Sequence, residues 1–202
     1  MVLFLFLLFA LIVFFKLYKS FGKVQFSNPS NFVRIKPATE TVNTDKKISE
    51  DDKRISLKIN ELKTMYPDFI PEVFIKQSEQ TFDEVFNAFA SSQHQTLKSR
   101  LSEKLYEQFA NQIQKREENN LRQELSTTHK ETKIKDINVS SNSVEITINF
   151  IVEQVSAMID VNGVSPDNPN KLSRTVSHTW VFSSNISEKQ NWIVIKTSAK
   201  EV

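Results

Sequence analysis

Leu121 divides this chain by period. Before it, apolar residues recur every three or four positions, and after it they alternate. Phe74, Ile75, Phe82, Val85, Phe86 and Phe89 fall mostly on one helical stripe. Pro71 suits a first helical turn. A helix is therefore expected over about 71–91, ended by Ser91, Ser92 and Gln93. A short helical turn follows over Thr96 to Leu101. Leu101, Leu105, Phe109 and Ile113 lie four apart, which predicts a further helix over 102–118, ended by Asn119 and Asn120. Ile55, Leu57, Ile59, Leu62 and Met65 hint at a short helix ahead of Pro67.

The second half calls for strands. Val144, Ile146, Ile148, Phe150 and Val152 alternate with polar residues, the mark of a strand with one buried face. The apolar parity then switches to Val155, Ala157 and Ile159, which predicts a bulge between about 152 and 155. Asn162, Gly163 and the stretch from Pro166 to Pro169 make a long hairpin connection. Val176, His178, Trp180 and Phe182 share one face of a third strand, and Trp192 to Ile195 open the last. An earlier strand fits Thr132 to Val139, with a start nearer Leu121 also open. Helices first and strands after give an α+β domain: about three helices packed on one face of a curved, four-stranded antiparallel sheet.

A different constraint acts at the N-terminus. Met1 to Phe15 carry no charge, and Lys16, Lys19 and Lys23 follow at once. Fifteen helical residues span about 22 Å, short of a hydrocarbon core of about 30 Å. Leu17, Tyr18 and Phe21 extend the run if Lys16 and Lys19 snorkel to the headgroups. A cleaved signal peptide would need charge before the apolar run and a small-x-small site after it. Neither is present, which favours an uncleaved anchor over residues 1–21. Lys16, Tyr18, Lys19 and Lys23 are the expected lipid contacts. Five basic residues precede the first acid, Glu40, so the bulk of the chain is expected on the cytoplasmic side of a bacterial inner membrane. The mitochondrial inner membrane, matrix side, is the alternative. Residues 22–66 are expected to form a basic-then-polar linker holding the short helix near 55–65, and 67–202 the folded domain.

Composition excludes several functions. The chain is +2 overall, and the segment through Lys36 supplies more than all of it. The remaining body lacks the basic balance of a nucleic-acid binder. Two glycines in the chain leave no phosphate-cradling loop. There is no cysteine, no HExxH, and no histidine pair at ligand spacing among His94, His129 and His178, so no metal or cofactor is expected. The run Lys115–Arg116–Glu117–Glu118 is expected to be a solvated helix end. Phe82, Phe86, Phe89, His178 and Trp180 are the candidate lining of an internal pocket, with core packing as the plainer role for each.

The stretches AFASSQHQTLKSRLSEKLYEQFANQIQKREEN and HTWVFSSNISEKQNWIVIKTSA resemble the Tim-forty-four-like domain, the second through its two tryptophans, Trp180 and Trp192. The resemblance covers roughly Pro67 to Ala199. It implies a cone of the cystatin-like and nuclear-transport-factor-two-like kind. It also implies a non-enzymatic, membrane-anchored adaptor that holds a translocase, a chaperone or an assembling membrane complex. A cavity that takes a small ligand or lipid is the alternative, an enzyme less so. The chain departs from the family pattern at His178, where many members are acidic, and at Asn119–Asn120, where many have glycine. It also lacks the family's long chaperone-contacting N-terminal region, which puts chaperone binding in doubt.

Overall fold

The computed structural model describes residues 50–165, 167–185 and 191–202. The expected anchor, with Lys16, Tyr18, Lys19 and Lys23, lies outside the described residues, as does most of the linker. Among the described residues no helix is long and apolar enough to cross a membrane.

Among the described residues four helices precede four strands: α1 (Glu50–Met65), α2 (Pro71–Ala90), α3 (His94–Arg100), α4 (Glu103–Glu118), β1 (Arg122–Val139), β2 (Ser143–Ile159), β3 (Arg174–Asn185) and β4 (Ile193–Glu201). The strands form one antiparallel sheet in the order β1-β2-β3-β4. The α+β architecture is the one expected, with four helices rather than three.

The added helix is α1, which begins at Glu50 and is no loose part of a linker. Glu50, Asp51 and Asp52 suit the positive end of its dipole. Leu62 is fully buried in the common core. Two cations fasten α1 to β1, an outer strand whose far side has no strand partner. Lys58 Nζ donates to Asp136 Oδ1 at 2.7 Å and to the Ile137 carbonyl at 2.9 Å. Arg54 donates to Asp136 at 3.1 Å and to the Lys135 carbonyl at 3.3 Å. Lys58 also holds the Asp136 carboxyl below its ordinary pKa. A helix laid along a sheet edge in this way covers backbone groups that would otherwise pair with another chain.

The bulge expected in β2 is absent. β2 pairs with β1 without a break from Val144 to Ile159, and the irregularities lie in β1 instead. They fall between His129 and Glu131 and between Ile134 and Asp136, where Lys130 and Lys135 are the extra residues. Each extra lysine shifts the side-chain phase by one. The helix-facing residues of β1 are thus Leu125, Thr127 and His129, then Thr132 and Ile134, then Ile137 and Val139, each opposite an even-numbered residue of β2. The apolar parity of β2 switches for another reason. Ala157 and Ile159 face away from the helices and are buried. The connection from Asp160 to Leu172 folds over them. Lys171 Nζ meets Glu124, the cross-strand neighbour of Ala157, while Met158 N donates to Asp167 and Asn168 Nδ2 to the Ser156 carbonyl. Gly163, at φ +78°, allows the turn at its tip.

The core is the helix-facing side of the sheet. Val144, Ile146, Ile148, Phe150 and Val152 of β2, with Trp180 and Phe182 of β3, pack on Phe74, Phe82 and Val85 of α2. Leu105 and Ile113 of α4 complete it.

α2 and α4 end in the same way. Gln93 N bonds the Ala88 carbonyl and Ser92 N the Phe89 carbonyl, with Ser92 at φ +55°. Leu121 N bonds the Arg116 carbonyl and Asn120 N the Glu117 carbonyl, with Asn120 at φ +53°. Both are Schellman ends, a geometry usually given to glycine and here taken by serine and asparagine. Asn120 thus does backbone work that glycine usually does at a helix end.

Candidate functional site

Between the last turn of α2 and the middle of α4, part of the helix-facing side of the sheet is left uncovered. A cavity of about 480 Å³ opens there. Phe86 and Phe89 of α2, Phe109 of α4, Leu125 of β1 and Trp180 of β3 make its apolar wall. Its polar groups are mostly side-chain amides: Gln108 and Gln112 of α4, Gln123 of β1 and Gln154 of β2. His178 adds an imidazole, and Thr197 to Ala199 of β4 close one side. A smaller cavity of about 270 Å³ lies at the elbow of α1 and α2, lined by Met65, Phe69, Ile70, Val73 and Trp192 among others.

Of the five pocket residues expected, Phe86, Phe89, His178 and Trp180 line the larger cavity. Phe82 lies behind them, fully buried. It stacks on Phe86 at 4.3 Å and packs on Trp180 at 4.8 Å and Phe150 at 4.7 Å.

His178 is 6% exposed and sits edge-on to Phe82 and Phe86, each 5.2 Å away. Its Nε2 is 2.9 Å from Gln154 Oε1, so the ring proton sits on Nε2 and is donated to that amide. Burial pushes the ring pKa down to about 4. The imidazole is neutral at physiological pH, and its proton is committed to a neutral acceptor. A general base works best with a pKa near the operating pH, which this ring does not have.

His129 occupies the other side of Phe82, again at 5.2 Å. It lies within β1, and its Nε2 is 3.0 Å from Asp83 Oδ1. The pair does not line the cavity. His94 Nδ1 is 3.1 Å from the Tyr106 hydroxyl. Among the described residues no three groups stand together as metal ligands do.

Arg116 corrects the expectation of a solvated helix end. It is 5% exposed and reaches back under the cavity. Nη1 donates to Gln123 Oε1 at 2.8 Å, and Nη2 donates to the Phe89 carbonyl at 2.9 Å and to Ser92 Oγ at 3.0 Å. The guanidinium also lies 5.2 Å from the Phe89 ring centre. Two of its three acceptors lie at the C-terminal end of α2, where the helix dipole is negative, and this stabilises a buried cation that among the described residues is bonded to no carboxylate. Burial lowers its pKa without discharging it. Gln123, held by Arg116, passes a bond on to Ser156 Oγ at 3.3 Å. The rim amides were not evident from sequence. Gln108 and Gln112, four apart on the polar face of α4, were their only trace.

Such a site holds its occupant by apolar contact and amide hydrogen bonds. A ligand or side chain with an apolar body and neutral polar edges matches it.

Two solved structures resemble the chain weakly. The intermembrane space region of the chloroplast protein ARC6 aligns at a TM-score of 0.44 with 10% identity, over 63% of this chain and 97% of that one. A putative dehydratase of the NTF2-like family from Streptomyces avermitilis aligns at 0.38 with 12% identity, over 66% and 99%. Neither likeness is close enough to carry a functional argument. No curated protein matches the chain. The Tim44-like domain, the Tim-forty-four-like family of the sequence resemblance, matches residues 55–199, from within α1 to nearly the end of β4. That span is most of the chain, which therefore belongs to the Tim44-like domain family.

Proposed function

We propose that this protein is a membrane-held, non-enzymatic adaptor whose Tim44-like domain presents a partner-binding surface at the cytoplasmic face of a bacterial inner membrane. In this reading the apolar run before Lys16 is the anchor, and Lys16, Tyr18, Lys19 and Lys23 form a collar on anionic headgroups. Tethering acts by concentration: a partner held near the membrane meets its target far more often with no new contact required.

The observation that carries the reading is the state of His178. The histidine in the cavity wall is kept neutral by burial and bonded to the Gln154 amide, among groups suited to holding rather than converting an occupant. Membership in the Tim44-like family supports the same conclusion. A second reading, a small-ligand or lipid site, is favoured by the cavity volume alone.

Crosslinking and recovery of the full chain from native membranes tests the proposal, with a chain of residues 23–202 as the control. Recovery of a translocase, chaperone or membrane complex with the full chain alone supports the tethered adaptor. Recovery of no protein, with lipid or a small molecule co-purifying equally with both chains, overturns it in favour of the second reading.

A further inference from the structure

The two edges of the sheet are treated differently. β1 is bulged twice and clasped by α1 near Lys135 and Ile137, whereas among the described residues β4 is covered only at its start. There, Leu101 bridges Val194 and Ser102 N donates to the Val194 carbonyl. From Lys196 onward every residue of β4 except Thr197 is well exposed. Val202 N donates to the Thr175 carbonyl of β3. Backbone groups of an antiparallel strand alternate in direction, so Lys196, Ser198 and Lys200 also bond inward to β3. The N–H and C=O groups of Thr197, Ala199 and Glu201 therefore point to the open side. Thr197 and Ala199 also line the 480 Å³ cavity.

We propose that the open edge of β4 accepts an extended peptide segment of a partner protein as a fifth strand. The segment carries acidic residues four apart on one face and apolar residues between them on the other. This deepens the adaptor reading by naming the chemistry of its partner.

Charge decides the occupant. Lys196 and Lys200 stand on the face of β4 opposite Thr197 and Ala199, where Lys200 shares a groove with Asp51 and Asp52 of α1, and among the described residues neither lysine forms an ion pair. Residues directly opposite in a new strand would meet them, and a carboxylate at each of those two positions complements them. The intervening residues, opposite Thr197 and Ala199, point to the helix side, towards the cavity mouth. A second copy fits badly. Any antiparallel pairing of β4 with itself gathers four lysines on one face, and centring on Ser198 sets Lys196 against Lys200 of the copy. Main-chain bonds would supply affinity and the alternate side chains specificity, as in other strand additions.

The test uses full-length protein in lipid nanodiscs and a labelled, end-capped peptide, Thr-Glu-Ile-Thr-Phe-Glu-Val-Thr, followed by fluorescence anisotropy. Ala199→Pro removes an outward N–H without touching the β3 ladder. It is expected to weaken binding by about tenfold or more while leaving the melting temperature near that of the parent. Lys196→Glu with Lys200→Glu should weaken the same peptide and restore binding to one with lysine at both acidic positions. Should Ala199→Pro fail to fold, peptide N-methylation replaces it. Methyl groups on the Ile and Phe nitrogens should abolish binding, and on the two Glu nitrogens should not. No binding by the parent protein, or equal binding by all variants and methylated peptides, overturns the proposal. A failed titration beside a successful membrane recovery removes this edge and leaves the adaptor standing. The reverse leaves a peptide site on a protein that does not tether.

Discussion

Lowering the pH from 7 to 5 should weaken the fold through His178 in particular. The ring titrates at about 4 when folded, and an unfolded histidine at about 6.5. Below pH 6.5 the unfolded chain takes up a proton that the folded chain refuses, so stability falls as pH falls. The contribution is complete above the unfolded value and is lost progressively down to the folded one. Between pH 7 and pH 5 the two values give a loss of about 2 kcal/mol, levelling near ~3 kcal/mol below pH 4. His178→Gln keeps a polar group near Gln154 and removes the titration. Urea unfolding followed by tryptophan emission reports on this region directly, since Trp180 is buried beside Phe82 and Phe86. The substitution has its own cost at every pH, so the informative quantity is the pH 7 to pH 5 drop in each protein. His94, His129 and the carboxylates are common to both and cancel. The parent should lose about 2 kcal/mol more than the variant. Equal drops would refute the argument, because they would mean that the folded ring takes up its proton as readily as the unfolded one.

Other substitutions test other parts of the account. Arg116→Ala deletes three hydrogen bonds from a cation and strands their acceptors, and should cost about 2–4 kcal/mol in urea unfolding. Asn120→Ala places a Cβ-bearing residue without a helpful side chain at φ +53°, and should cost about 1 kcal/mol. Asn120→Gly should be neutral or slightly stabilising in the same assay. Leu62→Ala empties the one buried position of α1 and should cost about 2–5 kcal/mol. Hydrogen exchange should show α1 amides losing protection before those of β2 and β3.

The elements most legible in sequence were those whose burial follows one simple period. Phe74, Phe82 and Val85 mark α2, and Val144 to Val152 mark β2, because each set has one buried face. Phase errors came where burial has a second source. Ala157 and Ile159 are covered by the connection that follows them, so their parity says nothing about a bulge. The true bulges stand at Lys130 and Lys135, where no apolar residue marks them. The spacing of Ile134 and Ile137, three apart in a strand, was the available sign. Arg116 escaped because its partners come from α2 and β1, distant in sequence, and a charged residue near a helix end usually meets water. The cavity was half legible for the same reason. Its aromatic wall repeats with the helix and the strand, while its amide rim is assembled from α4, β1 and β2.

The contrast between the two sheet edges bears on assembly. A polymer needs two compatible ends on each subunit. At one end of this sheet α1 occupies the carbonyls of Lys135 and Ile137. At the other, Lys196 and Lys200 would crowd against their own copies. Stringing copies into a continuous sheet is thus opposed at both ends: by α1 over part of β1 and by like charge along β4. An edge that repels its own copies in this way could stay open to a partner of opposite charge without inviting self-association.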